Sequence, residues 1–312
     1  MMKLVVLAGL AAACICAQQN ALIGVWKADL DKSKIAGPPG APKPANYLMI
    51  VEEKMAIVDQ RTKEQAPQIT ETTGIWGERG SQRSVLTVFN NGKAMVRPYE
   101  GVPTRLTAGW QSDTFVVDGE VAGRPSTFKR VYKLSPDGKT LNVDIQTTTD
   151  GKTNETVLVL SKQPDEAGEP LRKPEETAQV HFKNIKVEAL KNLPQSEFLN
   201  RMHYFAWALN RNCEFCHVPR KFDSDDKKEK ETARKMVDMV ASIDREHFEN
   251  HPAVDCFTCH EGHAHPLRHN QFPEEAAAEK AAIEKAAAKA AAERRALQNN
   301  TPPGPQPQQR PQ

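Results

Sequence analysis

Apolar and polar positions alternate along the first part of the chain and recur with a helical period further on. Between residues 21 and 162, short runs of alternating or β-branched residues are separated by turn sequences such as Asn90-Asn91-Gly92 and Asp150-Gly151. Alternation indicates half-buried strands, and short turns containing Gly favour antiparallel hairpins. The predicted strands are 22–30, 47–52, 84–89, 104–110, 114–121, 127–134, 140–147 and 156–160. About eight to ten such strands predict a small antiparallel barrel or sandwich.

A helical period begins after residue 180. In the first helix, which Ser196 opens, the apolar residues are spaced by four, three and four positions, so they lie on one stripe. That stripe is Phe198, Met202, Phe205 and Leu209. A second helix is predicted over residues 228–243, with Asp225 or Asp226 as its N-cap. Its apolar face is Ala233, Met236, Val237, Val240 and Ile243.

Composition supplies the domain boundaries. Prolines and acidic residues cluster after the last predicted strand and indicate a linker. A later stretch of Ala, Glu and Lys without an apolar stripe is typical of a solvated helix, and a Pro- and Gln-rich end is typical of a disordered tail. The expected organisation is a signal peptide at 1–17, a β domain at 18–162, a linker at 163–179, a mainly α-helical domain at 180–273, a solvated helix at 274–298 and a tail at 299–312.

The first seventeen residues have the features of a secretory signal peptide. Lys3 is followed by an apolar core, and small residues precede a cleavage position after Ala17. The apolar run is too short to span a bilayer. We therefore expect a periplasmic or secreted protein, with a lipid tether through Cys14 as a further alternative. The formal net charge of +2 provides no strong field for gripping nucleic acid.

Cysteine and histidine are concentrated in the helical part. All nine histidines lie between His181 and His269, and four of the six cysteines form two C-x-x-C-H motifs. Two thiols one helical turn apart suit thioether bonds to a porphyrin edge, and the next imidazole suits the iron as proximal ligand. The motifs are Cys213-Glu214-Phe215-Cys216-His217 and Cys256-Phe257-Thr258-Cys259-His260. They predict two covalently bound haem c groups, with His217 and His260 as axial ligands.

Three other interpretations of the paired cysteines are open. C-x-x-C knuckles hold structural zinc, but tetrahedral zinc does not need a His directly after each pair. Local disulfides suit an exported protein, yet they leave the nearby histidines and methionines without a role. Thioredoxin-like redox chemistry requires a βαβ pattern, which this part of the sequence does not show.

A haem that only carries electrons has a second axial ligand. Met202 precedes Cys213 by eleven residues and lies on the apolar stripe of the helix that leads to the first motif. A thioether ligand raises the reduction potential relative to a second imidazole. For the second iron, Met236 lies nearer the centre of the apolar face of its helix. The other candidates for this iron are Met239, His247 and His251.

The order of these elements is distinctive. Five elements follow one another: the helix with Met202, the stretch 212–217, the run 221–226, the helix 233–240 and the stretch 254–262. This pattern resembles one haem-pair half of the tetrahaem cytochrome subunit of purple bacterial photosynthetic reaction centres. In that family each site is a helix with a Met ligand, a turn and a C-x-x-C-H helix. The resemblance therefore implies Met202 and His217 on the first iron, and Met236 and His260 on the second. This chain has two haem motifs instead of four, and a β domain in place of the other half.

The expected function is electron transfer by an exported dihaem c-type cytochrome, with donor and acceptor proteins, soluble or membrane-bound, as partners. Phe205, Trp207, Phe215 and Phe257 are expected to wall the haems. Two alternatives stay open. One is a dihaem enzyme of peroxidase type with one open iron site. The other is a ligand-binding β domain with an attached redox domain, since Gly24-Val25-Trp26 resembles the opening of lipocalin-like barrels, although small barrel interiors are often simply packed.

Overall fold

A computed structural model describes residues 21–37, 42–59, 61–77 and 80–266, together with Ala281 and Lys285. The predicted signal peptide at 1–17, including Cys14, and the predicted tail at 299–312 lie outside the described residues. Apart from Ala281 and Lys285, so does the predicted helix at 274–298. Among the helices within the described ranges, none combines the length and apolar character needed to cross a membrane.

Ten antiparallel strands form one sheet that curves into a nearly closed barrel. They are β1 (Gly24–Ala28), β2 (Asn46–Ile57), β3 (Gln65–Gly77), β4 (Gly80–Phe89), β5 (Met95–Tyr99), β6 (Val102–Gln111), β7 (Thr114–Val121), β8 (Ser126–Leu134), β9 (Thr140–Thr149) and β10 (Lys152–Gln163). The order across the sheet is β4-β3-β2-β1-β10-β9-β8-β7-β6-β5, so β4 and β5 are its two edges. At this seam the Ser84 hydroxyl donates to the Glu100 carboxylate at 3.3 Å. Alternation predicted an antiparallel barrel or sandwich, and the barrel is confirmed.

Two strands lie where the apolar pattern predicted none. In β3 several buried positions are polar, namely Gln68, Glu71 and Thr73. An apolar period of two is hidden when inward positions are polar. The other strand, β5, has five residues and contains Pro98, and a short strand with Pro gives a weak signal.

Side chains fill the interior of the barrel. Trp26, Met49 and Phe115 are fully buried, and Trp26 Nε1 donates to the Leu22 carbonyl at 3.0 Å. A cavity lined by apolar side chains and Glu71 has a volume of about 10 Å³. That is roughly the space of a single water molecule. The interior is therefore a packed core.

A charged cluster lies inside this core. The Arg130 guanidinium donates to one carboxylate oxygen of Glu71 and, at 2.5 Å, to the Tyr99 hydroxyl. The Tyr132 hydroxyl donates to the other Glu71 oxygen at 2.5 Å. The Arg130 and Glu71 side chains are only 11% and 4% exposed. Both charges are removed from water, and their mutual attraction offsets the free-energy cost of that desolvation.

The segment after the barrel packs on the outer face of the barrel. Its elements are a 3₁₀ turn at Asp165–Gly168 and helix α1 at Glu169–Arg172. Leu171 is buried against side chains of β1 and β2. Arg83 on β4 donates to the Pro170 carbonyl at 3.1 Å, and its Nε lies 3.2 Å from a carboxylate oxygen of Glu175. The residues predicted as a linker, 163–179, are thus fastened to the barrel at these contacts.

Five further helices follow within residues 173–266. They are α2 (Ala178–His181), α3 (Glu188–Lys191), α4 (Gln195–Ala208), α5 (Lys228–His247) and α6 (Cys256–His260), with a 3₁₀ turn at Cys213–Phe215 between α4 and α5. Helices α4 and α5 correspond to the two helices predicted from the apolar spacing.

The predicted N-caps of these two helices are wrong. Helix α4 begins after Pro194, and Ser196 lies inside it, where its hydroxyl donates to Glu175 at 2.6 Å. Helix α5 begins after Lys227, which makes no side-chain cap. Asp225 instead accepts a hydrogen bond from Lys186 at 2.7 Å. In both cases the predicted cap residue forms a hydrogen bond with a residue distant in the sequence instead of with the first turn of the helix. The local sequence does not show such a partner.

Candidate haem site

The first C-x-x-C-H motif forms a tight turn. Cys213–Phe215 is a 3₁₀ helix, and the His217 amide donates to the Cys213 carbonyl at 3.0 Å. The His217 Nδ1 atom lies 3.0 Å from the Phe222 carbonyl oxygen, and the two rings are in contact with 5.5 Å between centroids. Desolvation lowers the pKa of His217. The neutral imidazole, which is the form that binds a metal, is therefore favoured.

The second motif is helix α6, which is capped by the residue before it. The Asp255 side chain accepts from the Thr258 amide at 2.9 Å, and the Thr258 hydroxyl accepts from the Asp255 amide at 3.1 Å. After the helix, the chain turns through Glu261 in the left-handed conformation, at φ 46°. This turn places the His263 carbonyl oxygen 2.9 Å from His260 Nδ1.

The two motifs therefore share one arrangement. In each, Nδ1 of the histidine faces a backbone carbonyl oxygen a few residues downstream, which requires a proton on Nδ1. That tautomer leaves Nε2 with its lone pair. A histidine that ligates a metal through Nε2 is typically oriented in this way by the bond at its other nitrogen. Backbone acceptors such as these carry no side-chain signal, so sequence reasoning did not find them.

The four cysteines of the motifs are free thiols. Cys213 and Cys259 are exposed, while Cys216 and Cys256 are partly buried. Burial raises the pKa of Cys256 to about 11, and it also raises the pKa of Cys216. All four are consequently available for bonding to a porphyrin edge as the spacing predicts.

Helix α4 has two distinct faces. The Trp207 ring stacks on Phe257 with 4.5 Å between centroids and 22° between planes, and the Phe257 amide donates to the Tyr204 hydroxyl at 3.4 Å. The face with Tyr204 and Trp207 thus holds the second motif. Met202 is two residues from Tyr204, which is about 200° around a helix, so it faces away from this contact. Sequence reasoning missed Tyr204, although its spacing of three from Trp207 is a helical signal.

The first motif packs on the beginning of α5. Lys227 Nζ donates to the Glu214 carbonyl at 2.6 Å, and Lys230 Nζ donates to the Phe222 carbonyl at 2.9 Å. Lys230 is buried among such carbonyls. The same Phe222 carbonyl therefore accepts a bond from Lys230 and faces His217, which links His217 to α5.

The candidate distal ligands differ in exposure. Met202 on α4 and Met236 on α5 are partly buried, whereas Met239 is 42% exposed. His247, the last residue of α5, and His251 are both exposed. Of the later histidines, His263 and His265 are exposed, and His269 lies outside the described residues. This difference agrees with the placement of Met236 nearer the centre of the apolar face.

The surroundings of the motifs suit a large flat apolar group. Ala208 is the last apolar residue that is buried within the described chain. Beyond it, large apolar side chains are exposed to 60% at Phe222, 41% at Phe248 and 37% at Phe257. A flat apolar group bound beside these rings would remove their apolar surface from water. Together with the free thiols and the oriented imidazoles, this exposed apolar surface fits covalent haem.

Comparison with known proteins agrees with this site. A family model described as the photosynthetic reaction centre cytochrome c subunit matches residues 130–301, which is more than half of the 312-residue chain and includes both motifs. The chain belongs to the photosynthetic reaction centre cytochrome c subunit family. Membership implies covalently bound haem c and electron transfer for this cytochrome.

Similarity to solved structures covers 46% of this cytochrome. Zebrafish ileal bile acid-binding protein is 10% identical with a TM-score of 0.30, and the match spans 99% of its chain. Echinococcus granulosus fatty-acid-binding protein 1 is 10% identical with a TM-score of 0.29 over 99% of its chain. The wild-type fluorescent protein UnaG is 12% identical with a TM-score of 0.30 over 98% of its chain.

Proposed function

We propose that this protein is an exported dihaem c-type cytochrome that carries electrons between redox proteins. The observation that carries the proposal is the repeated arrangement of the two motifs. In both, free thiols a turn apart precede a histidine whose Nδ1 faces a backbone carbonyl oxygen. The arrangement occurs twice in a chain of a cytochrome c family, which supports two sites of one kind.

The residues divide into two sets. Cys213 and Cys216 would hold the first haem and Cys256 and Cys259 the second, through thioether bonds. The proximal ligands would be His217 and His260, and the distal ligands Met202 and Met236. Bound haem c supplies an iron that alternates between ferric and ferrous states and so passes single electrons.

The protein's own contribution is orientation and exclusion of water. The Phe222 and His263 carbonyls fix the tautomer and the plane of each proximal imidazole. Trp207 and Phe257, which stack on each other, are walls that keep water from the second site. A thioether ligand in apolar surroundings favours ferrous iron and thus a higher potential.

For the second iron, Met236 is the preferred thioether. It is partly buried on α5, while Met239, one turn later, is 42% exposed. A ligand that excludes water belongs on the buried side of its helix. His247 or His251 would be the ligand if neither Met236→Ala nor Met239→Ala changes the ligation of the second iron.

The interior of the β-barrel is filled by side chains. Its interior cavity of about 10 Å³ is far below the roughly 300–1,000 Å³ of a small-molecule site. Glu71 and Arg130 form a buried ion pair inside it. These observations favour a structural role for the barrel interior over ligand binding inside it.

Spectroscopy with redox titration tests the proposal on the full-length holoprotein. Near-infrared magnetic circular dichroism and electron paramagnetic resonance of the ferric state should show two low-spin Met/His centres, each titrating as a one-electron couple. A high-spin centre with an open position would contradict a simple carrier and favour the peroxidase-type alternative. Cleavage of residues 1–17 and appearance in a periplasmic or secreted fraction would test export.

A further inference from the structure

The barrel contacts helix α4 at three positions along the helix. At the first residue of the helix, Gln195 Nε2 donates to the Ser81 carbonyl on the edge strand β4 at 2.7 Å. At the end of the helix, Trp207 Nε1 donates to the Ala122 carbonyl at 2.8 Å. Between these two points the turn at Gly101 meets the helix backbone at Asn200. Met202 therefore lies on a helix that the barrel holds from end to end.

The middle contact is a close approach of two backbones. Glu100 and Gly101 form the turn between β5 and β6 with φ angles of 49° and 80°. A Cβ atom at Gly101 would overlap the backbone carbonyl group of Asn200. Only glycine allows this approach, because any side chain would push α4 away from the turn. Asn200 is two residues before Met202, so a displacement here moves the segment that carries Met202.

The last turn of α4 has a charged contact as well. Arg124, in the turn between β7 and β8, donates from Nη2 to the Ala206 carbonyl at 2.6 Å. The Ala206 carbonyl also accepts from the Arg211 amide at 2.9 Å, so Arg124 adds a second bond at the end of the helix, where a cation also interacts favourably with the helix dipole. Arg124 therefore fixes the end of α4 both by a hydrogen bond and by charge.

We propose that Gly101 and Arg124 are positioning residues for the distal ligand Met202, so that the barrel sets the strength of the bond between Met202 and the first iron. This inference rests on the proposed function. Its physical basis is that a ligating group must be held to within roughly 0.5 Å by its supporting shell. The barrel provides that shell for α4 without contributing a ligand.

The first test is a pair of glycine substitutions in the ferric holoprotein. Gly101→Ala is compared with Gly151→Ala, which lies in the β9–β10 turn with a nearly identical backbone: Asp150 and Gly151 have φ angles of 51° and 75°. A Cβ at Gly151 meets nothing within 4 Å. Both variants bear the same local strain, but only Gly101→Ala displaces α4.

Imidazole is the probe, because it binds ferric iron only when the distal methionine has left. Gly101→Ala should raise the apparent affinity of one haem for imidazole about tenfold and lower the potential of that haem, while the other haem is unchanged. Gly151→Ala should behave as wild type. Equal imidazole affinities in the two variants would overturn the proposal.

The second pair keeps the test decisive if Gly101→Ala does not fold. Arg124→Met removes the bond to Ala206, and Arg105→Met removes an exposed barrel arginine paired with Glu120. A lost hydrogen bond from a charged group predicts about a tenfold change for Arg124→Met at one haem and none for Arg105→Met. No difference between these two variants would also overturn the proposal.

Met202→Ala separates this inference from the proposed function. If Met202→Ala changes one haem but the positioning variants equal their controls, the barrel does not tune the ligand and this inference fails alone. If Met202→Ala changes neither haem, the ligand assignment itself is wrong, and the inference falls with it.

Discussion

The indole ring of Trp207 stacks on the phenyl ring of Phe257 at a centroid distance of 4.5 Å. Trp207 belongs to α4, the helix with the proposed distal ligand of the first haem, and Phe257 belongs to the second C-x-x-C-H motif. The stack therefore packs α4 against the second motif. The indole N–H of the same tryptophan donates to the Ala122 carbonyl of the barrel. Trp207 therefore connects α4, the second motif and the barrel.

Met202→Ala should change the ligation of one haem and leave the other intact. Removing the thioether leaves the iron five-coordinate or open to water, so half of the Met/His signal should disappear and the potential of that haem should fall. Magnetic circular dichroism and a redox titration measure both effects. His203→Ala is the matched control, because His203 is exposed and lies about 100° around the helix. A change in His203→Ala that equals the change in Met202→Ala would rule out the assignment.

Met236→Ala should convert the second haem to another ligation state with a lower potential. Met239→Ala should leave both spectra nearly unchanged, because the Met239 side chain is 42% exposed. The two substitutions remove the same atoms from the same helix, so each is the control for the other. The reverse outcome would transfer the ligand to Met239, and no effect from either would point to His247 or His251.

Arg130→Met should destabilise the barrel by about 3–5 kcal/mol, because it leaves the buried Glu71 carboxylate without its partner. Urea unfolding measures the free energy. Combining it with Glu71→Gln should recover much of the loss, since no uncompensated charge then remains. Arg105→Met, at an exposed pair, should cost less than about 1 kcal/mol. Equal decreases in the free energy of unfolding for Arg130→Met and Arg105→Met would show that the buried pair stabilises the barrel no more than the exposed pair.

The stabilising effect of Asp225 should depend on pH. A hydrogen bond from Lys186, with further bonds from Arg234 and Asn184, holds the pKa of Asp225 well below its usual range. Because the folded-state pKa is the lower one, the stabilisation is fully present above the unfolded value of about 3.9 and is lost as the pH falls towards the folded value.

Asp225→Asn should therefore lower the thermal midpoint at pH 7, and its difference from wild type should shrink below about pH 3.9. Asp226→Asn, at a neighbouring side chain that makes no ion pair with the described residues, is the control and should have little effect. A difference between Asp225→Asn and wild type that is the same at pH 7 and pH 3 would contradict the ionic origin of the effect.

Local patterns in the sequence predicted much of this structure. The spacing of Phe198 to Leu209 predicted α4, and alternation predicted the antiparallel barrel. The two C-x-x-C-H motifs together predicted haem sites, because the chemistry of each motif is contained in five consecutive residues. What depends on distant residues was not predictable. β3 was missed because its inward Glu71 pairs with Arg130 from another strand, so a polar residue occupies a core position.

The support of the site was hidden for the same reason. Gly101 has no recognisable role until the backbone of Asn200 is beside it. The carbonyls of Phe222 and His263, which orient His217 and His260, belong to the backbone, and any residue type could supply them. A sequence suggests candidate ligands because they are particular residue types, but it does not show the backbone groups that orient them.

The haem count tests the central claim most directly. Intact mass spectrometry of the denatured holoprotein should show the polypeptide plus two haem c groups, since covalent haem survives denaturation. Cys213→Ser combined with Cys216→Ser should remove the first haem only, and Cys256→Ser combined with Cys259→Ser the second only, so each pair is the control for the other. A wild-type mass with one haem or none would contradict a dihaem cytochrome.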